Sequence, residues 1–350
     1  FFFGFAKWIL EQAVADGIEV LYFLARDGDI VKKCYDQLVV NFPSAPRSVY
    51  LRASRRGVNV AALRTEADVL ALLEVNFTPT PIRDLFKNRF GLDLIPPEVL
   101  NEIGYASDAD RADFKADEEK LRQLVKNLAP QILQNALEER EALLEYYREQ
   151  GLYGSGKRAV VDIGHVGTLQ SSISQLVGDK SLGGYYFVTF DKIEERLSPL
   201  GLSAKGYLGD AIRESDKSHP YCKYLLMFEA LFLNDEGSFV RMQRTQGELV
   251  PVMLPLDGEA GRINFIRQVH QGIIEFAKDA GEVLEHDLQG HALAGDLAIS
   301  GYLSVLQRPT RVDATLFENV GFENVYSGRD SRFVIHKIEN DPDTTVAMSI

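Results

Sequence analysis

The stretch at residues 158–172 constrains the fold more than any other part of this sequence. Residues 159–161 form a short apolar run that is typical of a buried strand, and Asp162 follows directly. Residues 163–168 contain two glycines, after which apolar residues recur at helical spacing. A strand, a carboxylate, a glycine loop and a helix N-terminus in this order predict a ligand site, because free N–H groups and the helix dipole attract anions. The carboxylate indicates that the ligand also carries sugar hydroxyls or a metal ion.

Composition excludes several classes of protein. The chain has 350 residues, of which 45% are hydrophobic, so it can form one large or two ordinary domains. Its formal net charge of −13 argues against nucleic acid as the main partner. Cys34 and Cys222 match neither a disulfide framework nor a zinc motif, and we expect both to be buried thiols in a reducing compartment. We expect neither a membrane-spanning segment nor a signal peptide.

Further strand candidates indicate the fold class. Residues 18–24, 48–51 and 184–190 are apolar or aromatic runs of strand length, residues 204–208 are a further strand candidate, and helical patterns separate most of them. Strands that alternate with helices predict an α/β fold with a mainly parallel sheet and flanking helices.

Charged residues follow three of these predicted strands. Arg26 and Asp27 come after the first strand, Arg52, Arg55 and Arg56 after the second, and residues 162–168 after the strand in the opening stretch. In parallel sheets, ligands bind beyond the carboxyl ends of the strands. We therefore expect these three segments to form one composite site.

The remaining sequence is mostly helical. We predict an α/β core at residues 1–215 with a helical insertion at about 65–150, and a mostly helical region at 216–350 that packs on the core. Within the insertion, Thr80 is expected to cap a helix, and Pro130 to separate one helix from the next. For the C-terminal region we expect helices at 221–233, 263–284 and 293–305, a turn at 234–237 with a small β segment after it, and a loose polar stretch at 339–345.

The sequence Asp27-Gly28-Asp29 after an apolar strand resembles the nucleophile motif of haloacid dehalogenase-type phosphatases. In that reading the first carboxylate attacks phosphorus and the second acts as acid and base. Arg26 precedes the motif, the expected Thr or Val is missing after it, and no later acidic pair is evident, all of which count against a phosphatase. Asp29 is more simply explained as a helix N-cap.

The arginine cluster and the glycine loop each have a structural alternative. Arg52, Arg55 and Arg56 could form a solvated surface, but their place after a buried strand favours bidentate binding of phosphate or pyrophosphate. Asp162 could cap the following helix and His165 could pack within the loop. Their combination with the ligand-loop residues favours a binding site; those residues are Gly164, Gly167 and Thr168.

Residues 160–168, Val-Val-Asp-Ile-Gly-His-Val-Gly-Thr, resemble a degenerate PRPP-binding loop of phosphoribosyltransferases, where PRPP is 5-phosphoribosyl 1-diphosphate. The resemblance implies that Asp162 contacts the ribose hydroxyls and that residues 164–168 bind the 5-phosphate. Ile163 stands where most members of that family carry a second acidic residue. Residues 25–28 stand where the first loop of that family meets pyrophosphate.

Residues 22–28, 50–56, 161–164 and 228–232 are together similar to bacterial polysaccharide-assembly proteins. In those proteins a haloacid dehalogenase-type phosphatase domain precedes a glycan phosphoribosyltransferase domain. The resemblance implies a diverged type I phosphoribosyltransferase fold and a glycosyltransferase that moves 5-phosphoribosyl from PRPP to a glycan acceptor, with release of pyrophosphate, during O-antigen or other surface polysaccharide synthesis.

The resemblance also implies roles for individual residues and for partners. Arg26, Gly28 and the three arginines that follow the second strand would meet the leaving pyrophosphate, while Asp27 and Asp162 would act in catalysis and hold Mg²⁺. The acceptor would be a lipid-linked glycan, a phosphatase domain would lie N-terminal in the full-length protein, and the protein would be cytoplasmic, peripheral at the inner face of the membrane. Two alternatives stay open, namely a phosphatase that uses Asp27 and Asp29, and a non-catalytic module that docks a glycan-assembly complex.

Overall fold

The computed structural model describes residues 1–74, 77–256, 260–284, 293–317, 320–323, 331–333, 335–336 and 347–348, without the side chains of residues 41, 260, 284 and 321 onward. The strands in chain order are β1 Val20–Leu24, β2 Arg47–Leu51, β3 Thr80–Pro81, β4 Arg111–Ala112, β5 Arg158–Asp162, β6 Gly183–Tyr186, β7 Ala204–Gly206, β8 Phe239–Thr245, β9 Glu248–Met253, β10 Gly321–Glu323, β11 Ser331–Phe333, β12 Ile335–His336 and β13 Ala347–Met348.

Helices connect and cover these strands. In chain order they are α1 Phe2–Asp16, α2 Gly28–Leu38, α3 Arg55–Ala62, α4 Glu66–Leu73, α5 Ile82–Leu85, α6 Pro97–Ile103, α7 Phe114–Glu149, α8 Thr168–Val177, α9 Lys192–Leu197, α10 Pro220–Lys223, α11 Leu225–Phe232, α12 Ala260–Leu284, α13 Gly295–Gln307 and α14 Arg311–Leu316. None of the described helices is both long enough and apolar enough to cross a membrane.

A five-stranded parallel sheet in the order β2-β1-β5-β6-β7 forms the centre of the fold. The predicted α/β class with a parallel sheet, flanking helices and C-terminal helices is therefore confirmed. The strand order reverses between β1 and β5, since β2 lies on one side of β1 and the later strands lie on the other. In doubly wound sheets such a switch point opens a crevice at the carboxyl ends of the two strands, which is where ligands bind.

Side chains of alternate residues enter two separate cores on the two faces of the sheet, as the two-residue period of a strand requires. Leu21 and Phe23 of β1 face the core formed with α1, α2, α11, α12 and α13. Tyr22 and Leu24 face the core formed with α3, the end of α7, α8 and β8. These strands are apolar on both faces because helices and the β8–β9 hairpin cover both faces. A third core lies within the insertion, between α4, α5, α6 and α7.

Two predictions for the insertion are wrong. Helix α7 continues through Pro130, and its only non-helical backbone angles lie at Asp117. A proline inside a helix costs about 3 kcal/mol, but the apolar stripe on both sides of it, including Leu128 and Ile132, is buried in the insertion core and offsets that cost. Thr80 pairs with Ala112 in a short antiparallel ladder, so it does not cap α5.

Predictions for the C-terminal region fit the structure in outline. The helix predicted at 221–233 is two helices, α10 and α11, which meet at Tyr224. The turn at 234–237 leads into the β8–β9 hairpin, and α12 and α13 lie close to their predicted positions. Cys34 and Cys222 are buried free thiols, as expected. Residues 339–345 lie outside the described residues, and the domain boundary near residue 215 stays a prediction.

Candidate functional site

The switch point between β1 and β5 brings two of the predicted segments together. β1 ends at Leu24 and leads to Asp27, while β5 ends at Asp162, and the two strands are hydrogen-bonded neighbours. Helices α2, α3 and α8 begin at this edge, so their N-terminal N–H groups and helix dipoles are directed towards the same region. The sheet topology therefore places the predicted segments at one edge of the sheet, while their role as a ligand site stays a prediction.

Glycines allow both loops to lie close to the sheet. A Cβ atom on Gly28 would lie 2.8 Å from the backbone carbonyl carbon of Phe23, so α2 can begin here only with glycine at this position. Gly167, with a φ of 68°, is the left-handed residue before α8. Each loop also contains one cis peptide bond, Ala25–Arg26 in the first loop and Gly164–His165 in the second.

Asp27 and Asp162 form the electrostatic centre of the site. Both side chains are recessed but partly accessible to solvent. Burial raises the pKa of Asp27, although the charges of Arg26 and Arg55 oppose this shift. Burial and then the charge of Asp27 raise the pKa of Asp162 to about 7, against the hydrogen bond that its Oδ1 accepts from the Ile163 N–H at 2.8 Å. A carboxylate with a pKa near neutrality can accept and release a proton at physiological pH.

Neither Asp29, for which the N-cap was the favoured interpretation, nor Asp162, for which it was the alternative, caps a helix. Asp27, not Asp29, occupies the N-cap position of α2, and the Asp29 carboxylate accepts a hydrogen bond from Lys33 at 2.7 Å. Asp162 does not cap α8, because that helix begins at Thr168 with Gly167 as its N-cap. Asp162 is therefore a recessed carboxylate without a helix-capping function.

The arginine cluster divides into two groups. Arg55 is exposed and its charge partly offsets the rise in the pKa of both site carboxylates, whereas Arg56 is buried on the side of α3 that faces α7. There Arg56 forms a buried salt bridge with Glu139 of α7. Arg52 binds the Glu236 carboxylate through both terminal nitrogens, at 2.9 and 3.2 Å. Arg26, Arg52 and Arg55 thus lie at the carboxyl edge, while Arg56 joins the core to the insertion.

Glu236 is a site residue that the sequence did not indicate. Its carboxylate binds Arg52, and its backbone carbonyl accepts a hydrogen bond from Arg26 at 3.4 Å. The preceding Asn234 donates to the Tyr50 hydroxyl at 3.0 Å and accepts from the buried Arg262 at 2.8 Å through its carbonyl oxygen. The sequence predicts the turn, but its position over the ends of β1 and β2 depends on long-range packing that no local pattern encodes.

His165 and Tyr221 form a second feature of the site, of which the sequence predicts only the histidine. His165 Nε2 lies 2.6 Å from the Tyr221 hydroxyl, and its ring stacks on Phe190 with centroids 4.4 Å apart. Burial lowers the pKa of His165 to about 4, so its imidazole is neutral at physiological pH. Tyr221 is fully buried, and the charges of Glu229, Asp27 and Asp162 act on its hydroxyl. The signal for Tyr221 would have been its closeness in space to predicted site residues. Tyr221 lies far from those residues in the sequence, so no local pattern reveals that closeness.

The predicted Mg²⁺ site can be tested against the donor set. Among the residues that the structure describes, no group of three or more His, Cys, Asp and Glu side chains is arranged to hold a metal ion. Asp27 and Asp162 supply two carboxylates, and Mg²⁺ sites commonly use one or two carboxylates together with substrate phosphates. The raised pKa of each carboxylate shows that its negative charge is incompletely compensated, which a divalent cation would correct. The two residues therefore fit Mg²⁺ that is shared with a phosphorylated substrate.

No family model matches this chain, and no curated protein matches it either. The functional conclusion therefore depends on the geometry of the site and on the motif resemblance.

Proposed function

We propose that this protein is a glycosyltransferase that moves 5-phosphoribosyl from PRPP to a hydroxyl group of a glycan acceptor and releases pyrophosphate, in the synthesis of a bacterial surface polysaccharide. The observation that carries the proposal is the pairing of Asp27 and Asp162 at the switch point, beside Arg26 and Arg55 and three helix N-termini. A donor with a sugar between two phosphate groups requires this combination of carboxylates and anion-binding groups.

Each end of PRPP has a matching region of the site. The N-terminus of α8 and the loop residues 165–167 that precede it would present backbone N–H groups to the 5-phosphate. Arg26 and Arg55 supply positive charge for the pyrophosphate on the α2 and α3 side. Arg52 is held by Glu236 and would join them if the ligand displaced that carboxylate. The carboxylates between the two anion sites meet the ribose.

The chemical step breaks the bond between C1 and the pyrophosphate oxygen, and the bonding electron pair leaves with pyrophosphate. The acceptor oxygen forms a new bond to C1, and its proton passes to the Asp162 carboxylate, whose pKa of about 7 suits a general base. Positive charge that develops on the ribose ring is stabilised by the adjacent carboxylates. Mg²⁺ held by Asp27 would supply charge neutralisation for the pyrophosphate when bound, and the Asp162 carboxylate would remain free to accept the proton.

Isothermal titration with PRPP in the presence of Mg²⁺ tests the proposal. Arg55→Ala and Asp162→Asn should each weaken binding by ~1.5–3 kcal/mol, which is roughly 10- to 150-fold in Kd, because each removes a charged contact. Arg83→Ala, which removes an exposed arginine of the insertion, serves as the matched control and should bind like the wild type. If the wild-type protein binds no PRPP at millimolar concentration, the proposal is wrong.

A phosphatase would respond to a different substitution. The Asp29 carboxylate pairs with Lys33 on the first turns of α2, so Asp29→Asn should leave PRPP binding unchanged. Loss of phosphate release from phosphate esters in Asp29→Asn would instead support the phosphatase. Retention of glycan-assembly contacts without any PRPP binding would support the non-catalytic docking module.

A further inference from the structure

The turn at residues 234–237 brings one glutamate to two arginines of the candidate site. The Glu236 carboxylate accepts hydrogen bonds from both terminal nitrogens of Arg52, at 2.9 and 3.2 Å. The backbone carbonyl of the same glutamate accepts a hydrogen bond from Arg26 at 3.4 Å. Arg26 follows β1 and Arg52 follows β2, and these strands are neighbours in the sheet. One residue after α11 therefore contacts the arginines at two adjacent strand ends.

The contact between Glu236 and Arg52 has the form in which arginine binds phosphate. Each terminal nitrogen of the guanidinium donates to a different carboxylate oxygen. A phosphate group offers a similar pair of oxygens to the same two nitrogens. Glu236 thus occupies Arg52 as a phosphate group would. A phosphorylated ligand can form this contact at these two nitrogens only after the carboxylate has moved away.

The pair of Arg52 and Glu236 differs from the buried ion pairs of the protein. The side chains of Arg52 and Glu236 are 23% and 37% exposed. Those of Arg158 and Asp179 are 9% and 10% exposed. The Glu236 carboxylate also lies 3.5 Å from the Tyr50 hydroxyl, at the limit of a hydrogen bond. Because a partly exposed ion pair contributes little to stability, Glu236 can exchange with a ligand anion at small cost.

The backbone on both sides of Glu236 is fixed. Asn234 is buried, and its carbonyl oxygen accepts a hydrogen bond from the buried Arg262 at 2.8 Å. On the other side, a Cβ atom on Gly237 would collide with the carbonyl oxygen of Leu254, so the turn packs directly on the chain after β9. Release of the arginine therefore requires rotation of the Glu236 side chain, without movement of the turn.

The other carboxylate of the turn has a different partner. Asp235 accepts a hydrogen bond from Arg267 of α12 at 2.8 Å, and this bond lowers the pKa of Asp235. The two adjacent carboxylates therefore carry the same charge but bind arginines in different parts of the molecule. Of the two, Glu236 contacts the arginine that follows a strand of the central sheet.

We infer that Glu236 gates the pyrophosphate subsite, because its carboxylate occupies Arg52 in the ligand-free protein and gives way to the diphosphate group of the donor. The inference rests on the proposed function and adds a specificity-determining residue to that site. The competition favours ligands that carry a diphosphate, since a single phosphate at the N-terminus of α8 gains nothing when Glu236 moves. The same competition weakens binding of the pyrophosphate product and so favours its release.

Isothermal titration with pyrophosphate in the presence of Mg²⁺ tests the gate. Glu236→Gln keeps the shape of the side chain and removes its charge, so this variant should bind pyrophosphate about three- to tenfold more tightly than the wild type. Asp235→Asn is the matched control, because it removes the same charge from the adjacent residue. Its affinity for pyrophosphate should stay within about twofold of the wild type, since salt screens charges that make no direct contact. Equal gains in the two variants would show general charge repulsion, and the inference would be wrong.

A second variant tests whether the gain depends on Arg52. In Arg52→Ala the backbone N–H of residue 52 still donates to the Tyr146 hydroxyl, so the end of β2 keeps its contact. Adding Glu236→Gln to Arg52→Ala should leave the affinity for pyrophosphate unchanged, because the two side chains then have no interaction to lose. A gain that persists without the arginine would overturn the inference.

Ribose 5-phosphate provides the matched ligand, because it carries the single phosphate and no diphosphate. It should bind the wild type and Glu236→Gln with the same affinity. If Glu236→Gln tightens ribose 5-phosphate as much as pyrophosphate, the gate does not distinguish a diphosphate and the inference is wrong. The same conclusion follows if neither protein binds pyrophosphate measurably.

A PRPP titration of the wild type separates this inference from the proposed function. If the wild type binds PRPP but Glu236→Gln binds pyrophosphate no more tightly than the wild type, only the gate is wrong. If the wild type binds no PRPP while Glu236→Gln binds pyrophosphate more tightly, the proposed function is overturned. Glu236 would then still compete with a diphosphate at Arg52.

Discussion

The two edges of the central sheet shift the pKa values of their carboxylates in opposite directions. At the amino edge, Asp179 binds Arg158 at the start of β5 and also accepts hydrogen bonds from Ser181. Burial opposes ionisation there, but the hydrogen bonds from Ser181 and Arg158 lower the pKa of Asp179. At the carboxyl edge, burial and mutual repulsion raise the pKa of Asp162 to about 7, and nearby arginines offset this only in part.

This difference in pKa direction distinguishes carboxylates in structural ion pairs from those of the candidate site. Asp16, at the end of α1, follows the pattern of the amino edge, because hydrogen bonds from Lys205 at 2.7 Å and from Tyr185 at 2.7 Å outweigh burial and lower its pKa. Carboxylates that serve stability are thus fully compensated within the protein. Those at the switch point are not, and the proposed function assigns the missing compensation to a cationic or hydroxyl-bearing ligand.

The largest effect is expected from removing a carboxylate at the amino edge. Asp179→Ala should lower the free energy of unfolding by ~3–5 kcal/mol, because it leaves the buried Arg158 guanidinium without its carboxylate partner and with only the Gly154 carbonyl as acceptor. Urea unfolding at neutral pH measures the loss. Ser181→Ala, which removes one hydrogen bond to the same carboxylate, should cost only about 1 kcal/mol. Equal losses in the two variants would show that the Arg158 pair is not the main contributor.

Sequence patterns predict the carboxyl edge well because its signals are local. Each strand, the charged residue after it and the next helix are contiguous in sequence, and parallel topology then brings the strand ends together. Arg55 and Arg56 show the limit of that reasoning. They are adjacent in sequence and share one predicted role, but consecutive residues of a helix point in different directions. Arg55 acts on Asp27 and Asp162, whereas Arg56 is buried in a salt bridge with Glu139 of α7.

What the sequence did not reveal depends on contacts between distant segments. Glu236 meets Arg52, and Tyr221 meets His165, through packing of the C-terminal elements on the core. The continuation of α7 through Pro130 has the same origin, since a buried apolar stripe stabilises the helix on both sides of that residue. Local propensity is a weak predictor where tertiary burial supplies several kcal/mol.

At the carboxyl edge, removing a carboxylate should stabilise the ligand-free protein. The folded-state pKa of Asp162 lies above its ordinary value of 3.8. The free energy of unfolding therefore falls as the pH rises from about 4 through about 7. Asp162→Asn removes that loss. We expect no gain below about pH 4 and a gain of ~1–3 kcal/mol in the free energy of unfolding above about pH 7. Urea unfolding of both proteins across this range measures the difference.

The decisive control is that the two edges should respond with stability changes of opposite sign. Asp179→Asn should destabilise the protein at neutral pH and should lose its effect only in acid, because the pKa of Asp179 is lowered in the folded state. If Asp162→Asn destabilises the protein at neutral pH as Asp179→Asn does, then Asp162 is a structural carboxylate. The comparison between the two edges would then fail.

The smallest effect concerns the hydrogen bond between Tyr221 and His165. Tyr221→Phe should cost about 1 kcal/mol of unfolding free energy, because it removes one buried hydrogen bond and leaves the imidazole nitrogen without a partner. Tyr302→Phe removes a similar bond from the same core and should cost a similar amount. Only Tyr221→Phe should also weaken PRPP binding, since only Tyr221 contacts the glycine loop.

The imidazole proton signals of His165 should stay constant from about pH 5 to about pH 8 in both variants, because burial keeps its pKa near 4. A His165 that titrates near its ordinary pKa would show that the loop is open to solvent, and the site would then lack the low-dielectric environment on which the raised pKa of Asp162 depends.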